Sequence, residues 1–182
     1  MDYWFPLETR RLLLRELTAA DEADVHEYAC DPEVTRFQPW GPNTPQITHQ
    51  VIQNWMEQQQ QWPREEVNLA IELKSERKLI GVITFRVKND INRSADFGFA
   101  LNRRYWNQGY ATEAARAVID AGFRSLKLHR VWAGCDTQNI GSYRVMEKLG
   151  MRREGCLLKD MWQKGAWRDS YRYAVLEEEW LK

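Results

Sequence analysis

The amino-acid sequence predicts a mixed α/β domain built around one sheet. Residues 80–87 form a β-branched run of strand character. Residues 111–126 repeat with a helical period, placing Ala111, Ala114, Ala115, Val118, Ile119, Gly122 and Leu126 on one face. Strand-like and helix-like patterns alternate along the whole chain, with no linker and no internal repeat. At 182 residues the chain is long enough for one domain with a sizeable core and short for two. The expectation is a single domain over residues 1–182.

The elements follow in order. Leu12, Leu14 and Leu17 mark a first strand. Thr18 reads as an N-cap, with Asp21 and Glu22 in the first turn of a helix reaching Ala29. Asp31-Pro32 ends that helix. Residues 37–45 hold Pro39, Gly41, Pro42 and Pro45 and read as a loop. Residues 46–61 read as a helix with Ile47, Val51 and Trp55 near one face, stopping before Pro63. Val67, Leu69 and Ile71 alternate as a strand. Residues 74–77 are a turn into the 80–87 strand, and residues 89–92 are a second turn. Residues 95–101 form the next strand. After the 111–126 helix come a strand at 130–135, a helix at 139–149 and two strands, 151–161 and 167–177. The last two flank a turn at 163–165.

Composition narrows the function classes. Apolar residues make up 43% and charged residues 29%, ordinary values for a globular protein, and the formal net charge is zero. No basic stripe marks a nucleic-acid surface, so nucleic acid is not expected as a partner. No apolar run approaches the ~20 residues that span a bilayer, and the first residues lack the pattern of a signal peptide. Cys30, Cys135 and Cys156 are odd in number and scattered, which fits reduced thiols and a cytoplasmic location. His26, His49 and His129 show no ligand spacing, so no metal is expected. The nine tryptophans are expected mainly in core and edge packing.

Two segments carry chemistry. In residues 103–114 a strand turns through Gly109 into a helix. That geometry leaves backbone N–H groups unpaired at the positive end of a helix dipole, a setting suited to phosphate. The spacing is neither a dinucleotide fingerprint nor a P-loop, and a lone glycine at such a junction usually only makes a turn. The second segment, 139–151, follows the apolar run Val131-Trp132-Ala133-Gly134-Cys135 and opens Asn139-Ile140-Gly141-Ser142.

Together these segments resemble the GCN5-related N-acetyltransferases (the GNAT superfamily), in the branch containing the ribosomal-protein N-terminal acetyltransferases. The resemblance runs from residues 11–17 to residues 178–180. It implies an α+β fold: one mixed, mostly antiparallel twisted sheet of about seven strands flanked by helices, with a splayed central pair of strands holding the cofactor. It implies acetyl-CoA as co-substrate. The cofactor-binding residues would be Asn107, Gln108, Gly109, Tyr110, Ala111 and Thr112 at the pyrophosphate, Phe99, Ala100 and Leu101 at the pantetheine arm, and Asn139 and Ser142 near the arm and sulfur. Trp106 and Asn107 depart from the broader pattern without disturbing the loop. The Arg103-Arg104 pair is either solvated surface or a contact for the 3′-phosphate of CoA.

Acetyl transfer to an amine requires an anchored cofactor, a polarised carbonyl, a neutral amine and a stabilised leaving thiolate. Ser142 precedes Val145, Met146 and Leu149 on one helix face, so its hydroxyl is expected inward, either serving the helix start or donating to the sulfur. Many superfamily members carry a general-acid tyrosine four residues further on; here that residue is Met146. A glutamate proposed as base in the ribosomal-protein enzymes aligns with Met161. Its neighbour Asp160 points to the opposite face if the strand is regular. Asp96 shares a strand face with Gly98 and Ala100 and is the alternative candidate base, against a reading as a solvated strand-start carboxylate. A water relay needs neither. By resemblance, residues 37–42 and Trp55 wall the acceptor site. The expected activity is transfer to a primary amine, either a protein N-terminus or a small molecule, by a monomer or homodimer. The alternative is a non-catalytic acyl-CoA-binding sensor. The 177–180 end either closes a dimer edge or is a solvated tail.

Overall fold

A computed structural model describes residues 4–88 and 91–182. Eight strands form one sheet: β1 (Leu7–Glu8), β2 (Leu12–Glu16), β3 (Glu66–Leu73), β4 (Lys78–Lys88), β5 (Ser94–Leu101), β6 (Arg130–Asp136), β7 (Arg152–Gln163) and β8 (Ala166–Leu176). The helices are α1 (Glu22–Ala29), α2 (Pro32–Thr35), α3 (Pro45–Gln58), α4 (Tyr110–Arg124), α5 (Ile140–Lys148) and α6 (Glu177–Trp180). The sheet order is β1-β2-β3-β4-β5-β6-β8-β7. Every neighbouring pair is antiparallel except β5 and β6, which α4 connects as a crossover. The extra strand relative to the expected seven is the two-residue β1.

Each face of the sheet has its own core. On one, Ala114, Ala115, Val118, Ile119 and Phe123 of α4 and Met146 of α5 pack on Leu12, Ile83, Phe85, Phe97 and Val131. On the other, Val25 and Tyr28 of α1 and Ile52 of α3 pack on Leu17, Ala70, Leu79 and Val82. The expected stripe on α3 is shifted by one residue. Thr48 and Ile52 are buried and Ile47 is exposed, with Ile52 and Trp55 turned onto the second core; the helix begins on Pro45, capped by Thr44, and ends at Gln58. Four tryptophans, Trp62, Trp106, Trp162 and Trp167, are exposed rather than packed in the core. The turn expected at 89–92 falls partly outside the described residues. The C-terminal segment is not a free tail: Trp180 packs against Phe123 of α4, and Glu179 accepts from the Leu176 amide at 2.9 Å and pairs with Arg152. Among the described residues no helix is long and apolar enough to cross a membrane.

Arg15 ties three elements together. Its guanidinium donates two bonds to Asp21, at 2.8 and 2.9 Å, and one to Glu72 at 2.6 Å. Burial would raise the Asp21 carboxyl, but bonds from Arg15 and from the Thr18 amide outweigh it and hold the group below its usual range. A depressed folded-state pKa stabilises the fold above the unfolded value near ~4 and loses that contribution as pH falls through the folded value. Asp21→Asn is therefore expected to cost on the order of 2 kcal/mol at pH 7. In urea unfolding, the gap between parent and variant should narrow as pH falls below 4.

Candidate functional site

The site is set by where β5 and β6 part. Their ladder holds only from Ser94↔Arg130 to Asp96↔Trp132. β5 continues to Leu101 while paired to β4, and β6 continues to Asp136 while paired to β8. Past Asp96 the facing edges have no strand partner in each other, which opens a cleft in the middle of the sheet. Backbone N–H and C=O groups along such an edge require other partners. One is present: the Gln38 amide donates to the Phe99 carbonyl at 3.4 Å. The Trp106 indole donates to the Leu101 carbonyl at 2.7 Å, so Trp106 acts on the end of β5 and not as packing alone.

The 103–112 segment stands beyond the end of β5. Asn107 and Gly109 both have positive φ, +59° and +83°. They wrap the backbone around Gln108 and aim it into α4, with Gly109 as N-cap. The first helical bond of this turn runs from the Glu113 amide to the Gly109 carbonyl at 3.0 Å. The N–H groups of Tyr110, Ala111 and Thr112 precede it and have no partner within the helix ladder. This arrangement can hold an anion.

A brace behind the loop escaped the sequence reading. Arg11 of the β1–β2 turn donates to the Gln108 carbonyl at 2.9 Å and to Glu113 at 2.6 Å, and its guanidinium lies 4.2 Å from the Tyr110 ring centre. Thr9 and the Arg11 amide also donate to Glu113, at 2.7 and 2.9 Å. Burial would raise the Glu113 carboxyl, but the Thr9 and Arg11 bonds prevail and hold it below its usual range. Arg11 thus fixes the loop and offsets a carboxylate at the mouth of an anion site. The contacts span more than a hundred residues, so no local motif announces them. Arg103 and Arg104 turn the other way, pairing with Asp31 at 3.1 Å and Glu27 at 2.8 Å.

Ser142 lies in the first turn of α5. Its amide bonds the Asn139 side chain at 3.1 Å, so Asn139 is the N-cap. Ser142 is half-buried near Cys135 of β6, and burial pushes the Cys135 thiol up to about 12.

Asp96 is not the solvated carboxylate of a plain strand start. Arg86 donates to it at 2.7 Å and also to Glu66 at 2.8 Å. It sits at the closed end of the cleft, opposite Trp132, three residues before Cys135. At a rise of ~3.3 Å per residue that is about 10 Å of strand from the Ser142 neighbourhood, so the fold does not bring the two candidate catalytic residues into contact. Gly98, one step along the same face, has nothing within 4 Å of where a Cβ would stand. Ala100 follows; it, Trp40 and Trp55 are partly buried and each packs against the second core. Met161 is exposed. The regular strand assumed for Asp160 is absent: the register jumps between Leu157 and Met161, and Asp160 bonds Ser170. Among the described residues no cluster of His, Cys, Asp or Glu is arranged to hold a metal.

The GNAT acetyltransferase domain model matches residues 11–152. The chain belongs to the GNAT acetyltransferase family. It is 39% identical to the uncharacterized N-acetyltransferase YnaD of Bacillus subtilis over 96% of this chain and 98% of that one. A crystal structure of a GNAT-family acetyltransferase from Bacillus anthracis, 38% identical, superposes with a TM-score of 0.84 over 95% of this chain and 99% of that one. More distant structures share the fold: Mycobacterium smegmatis RimJ in complex with CoA-disulfide (TM-score 0.86, 23% identity, 100% and 93% covered) and Vibrio cholerae spermidine N-acetyltransferase in complex with CoA and spermine (0.80, 20%, 96% and 100%). The protein is thus an N-acetyltransferase by family, with the α+β sheet that its sequence resemblance implied.

Arg11→Ala removes the guanidinium while leaving the helix start intact. It is expected to weaken acetyl-CoA binding by roughly tenfold, about 1.4 kcal/mol, in isothermal titration, with kcat changed less than KM.

Proposed function

We propose that this protein transfers the acetyl group of acetyl-CoA to a primary amine by direct attack in a ternary complex. The observation that carries the reading is the parting of β5 and β6, flanked at its open end by the anion-suited start of α4 beyond β5 and by Ser142 beyond β6. In this reading the pyrophosphate lies on the N–H groups of Tyr110, Ala111 and Thr112, beside Asn107, Gln108 and Gly109. The pantetheine arm runs along Phe99, Ala100 and Leu101 as an added strand, with Asn139 at its side. CoA-bound structures sharing this fold support the coenzyme as co-substrate.

Each chemical requirement then has a source. A β5 backbone N–H near Phe99 or Ala100 polarises the thioester carbonyl. The amine enters over Gly98, where space is open, past Trp40 and Trp55. It arrives mostly as an ammonium of pKa ~10 and must lose a proton before attack. That proton leaves through water, with Asp96 as the carboxylate on the same β5 face. As the carbon–sulfur bond breaks, the Ser142 hydroxyl donates to the departing CoA sulfur. Met146, buried in the core at the position of the common tyrosine, takes no part. The acceptor is a protein N-terminus or a small-molecule amine.

CoA thiol release measured against peptide N-termini and small amines tests the reading. Release with one class establishes transfer. Saturable acetyl-CoA binding with no release for any acceptor would favour a sensor. Ser142→Ala is expected to lower kcat by on the order of 10²-fold with acetyl-CoA affinity kept, and Asp96→Asn to lower kcat with a shifted pH profile. A Ser142→Ala variant of full activity would remove that residue from the chemistry.

A further inference from the structure

On the sheet face opposite α4, Val25 and Tyr28 of α1 and Ile52 of α3 cover β3 and β4. Further across, the face is open: Gly98 of β5 has nothing within 4 Å of where a Cβ would stand, and Gly134 of β6 is exposed. Arg172 of β8 stands on this open part. The register sets it opposite Gly134, on the same side as Trp132 and Asp96. Asp96 and Trp132 form the last rung before β5 and β6 part, so Gly134 and Arg172 lie one step of that side beyond the parting. The half-buried Arg172 guanidinium reaches back across β6 and stacks on the Trp132 ring, 4.2 Å from its centre. Trp132 also lines, with Ser94, His129 and Arg130, an open cavity of about 660 Å³, so the stack borders open space.

The charge on Arg172 has no counter-ion in the chain. Arg86 holds Asp96 and Glu66, Arg130 holds both oxygens of Glu154, and Arg168 holds Asp136. Arg172 makes no ion pair or side-chain hydrogen bond among the described residues, and its Nε is enclosed without a partner. Glu154 lies within its field, but the Arg130 fork already occupies that carboxylate. A guanidinium nitrogen enclosed and unpaired is costly. The stack on an indole fixes the group in place without using its N–H donors. Those donors are therefore held on the parted side of the cleft, with Gly134 and then Gly98 across from them. Two strand spacings, about 10 Å, separate Gly98 from Arg172 at the backbone. The arginine side chain, turned over a residue that has no side chain, spans part of that distance.

We infer that Arg172 selects the acceptor, and that the acceptor is an amine carrying an anionic group, a carboxylate or a phosphate, at its far end. This rests on the transfer reading above. With the amine over Gly98, the rest of the molecule crosses Gly134 and its anion meets the Arg172 donors. A guanidinium takes either anion in a two-bond fork. A polyamine brings a second cation to the same place and is repelled. A simple alkylamine leaves the guanidinium unpaired. The discrimination comes from the polar group that the wrong ligand leaves without a partner.

The test measures CoA thiol release with γ-aminobutyrate, phosphoethanolamine, butylamine and putrescine as acceptors. The parent chain is expected to favour an anion-bearing amine over butylamine by about 10-fold or more in kcat/KM, with putrescine the poorest. Which of the two anionic amines leads names the anion. Arg172→Met, which keeps an apolar stem on Trp132, is expected to bring that ratio near unity, and Arg172→Lys to restore part of it. Arg172→Glu should invert the preference in favour of putrescine. A role confined to packing on Trp132 would lower every acceptor together and leave the ratio as it was, which would overturn the inference. So would a parent chain that prefers butylamine or putrescine. Release from no amine would strike the transfer reading and this inference with it, whereas release without the preference strikes the inference alone.

Discussion

The structure depends on one constraint: two parallel strands that pair for three residues and then separate. A sheet interior normally satisfies its backbone groups by continuing the ladder. Here β4 holds β5 and β8 holds β6 through their full lengths, so each strand stays rigid although its other edge has lost its partner. The cleft is open without being loose. The two cores explain why it persists. Helix α4 links the separated strands on one face, α1 and α3 brace β4 on the other, and Lys164 at the tip of the outer β7–β8 hairpin bonds the Thr35 carbonyl at the end of α2.

The fold was legible to the extent that it follows from local periodicity. The α4 face, the β-branched run of β4 and the Asn139-to-Ser142 helix start all appear with their expected neighbours. The stripe on α3 appears in part: Trp55 packs on the core, while Ile47 is exposed and the neighbouring Thr48 and Ile52 are buried. Asp160 illustrates a second limit. Alternation assigns a face only while the strand is regular, and the bulge before Met161 breaks that count.

The site was legible where it rests on backbone and illegible where it rests on distant pairing. Gly109 is visible because a glycine between strand and helix patterns marks the turn. Asn139 and Ser142 are visible because they open the helix-period run that becomes α5. Arg11, Thr9 and Glu113 meet only when the sheet edge folds against α4, and no spacing encodes that meeting. The partner of Asp96 was equally hidden. Arg86 reaches it across the β4–β5 pair, whose register depends on a turn that sequence only locates roughly.

In the proposed reaction a linear cofactor completes the sheet by taking the place of the missing strand contacts. Hydrogen–deuterium exchange of the backbone amides, with and without saturating acetyl-CoA, tests this most directly. The account predicts slowed exchange in two places, residues 97–101 on the parted edge of β5 and residues 110–112 at the start of α4, with little change in β2 and β3. Saturable binding that leaves the 97–101 amides exchanging as before would contradict it, since the cofactor would then lie elsewhere than in the cleft.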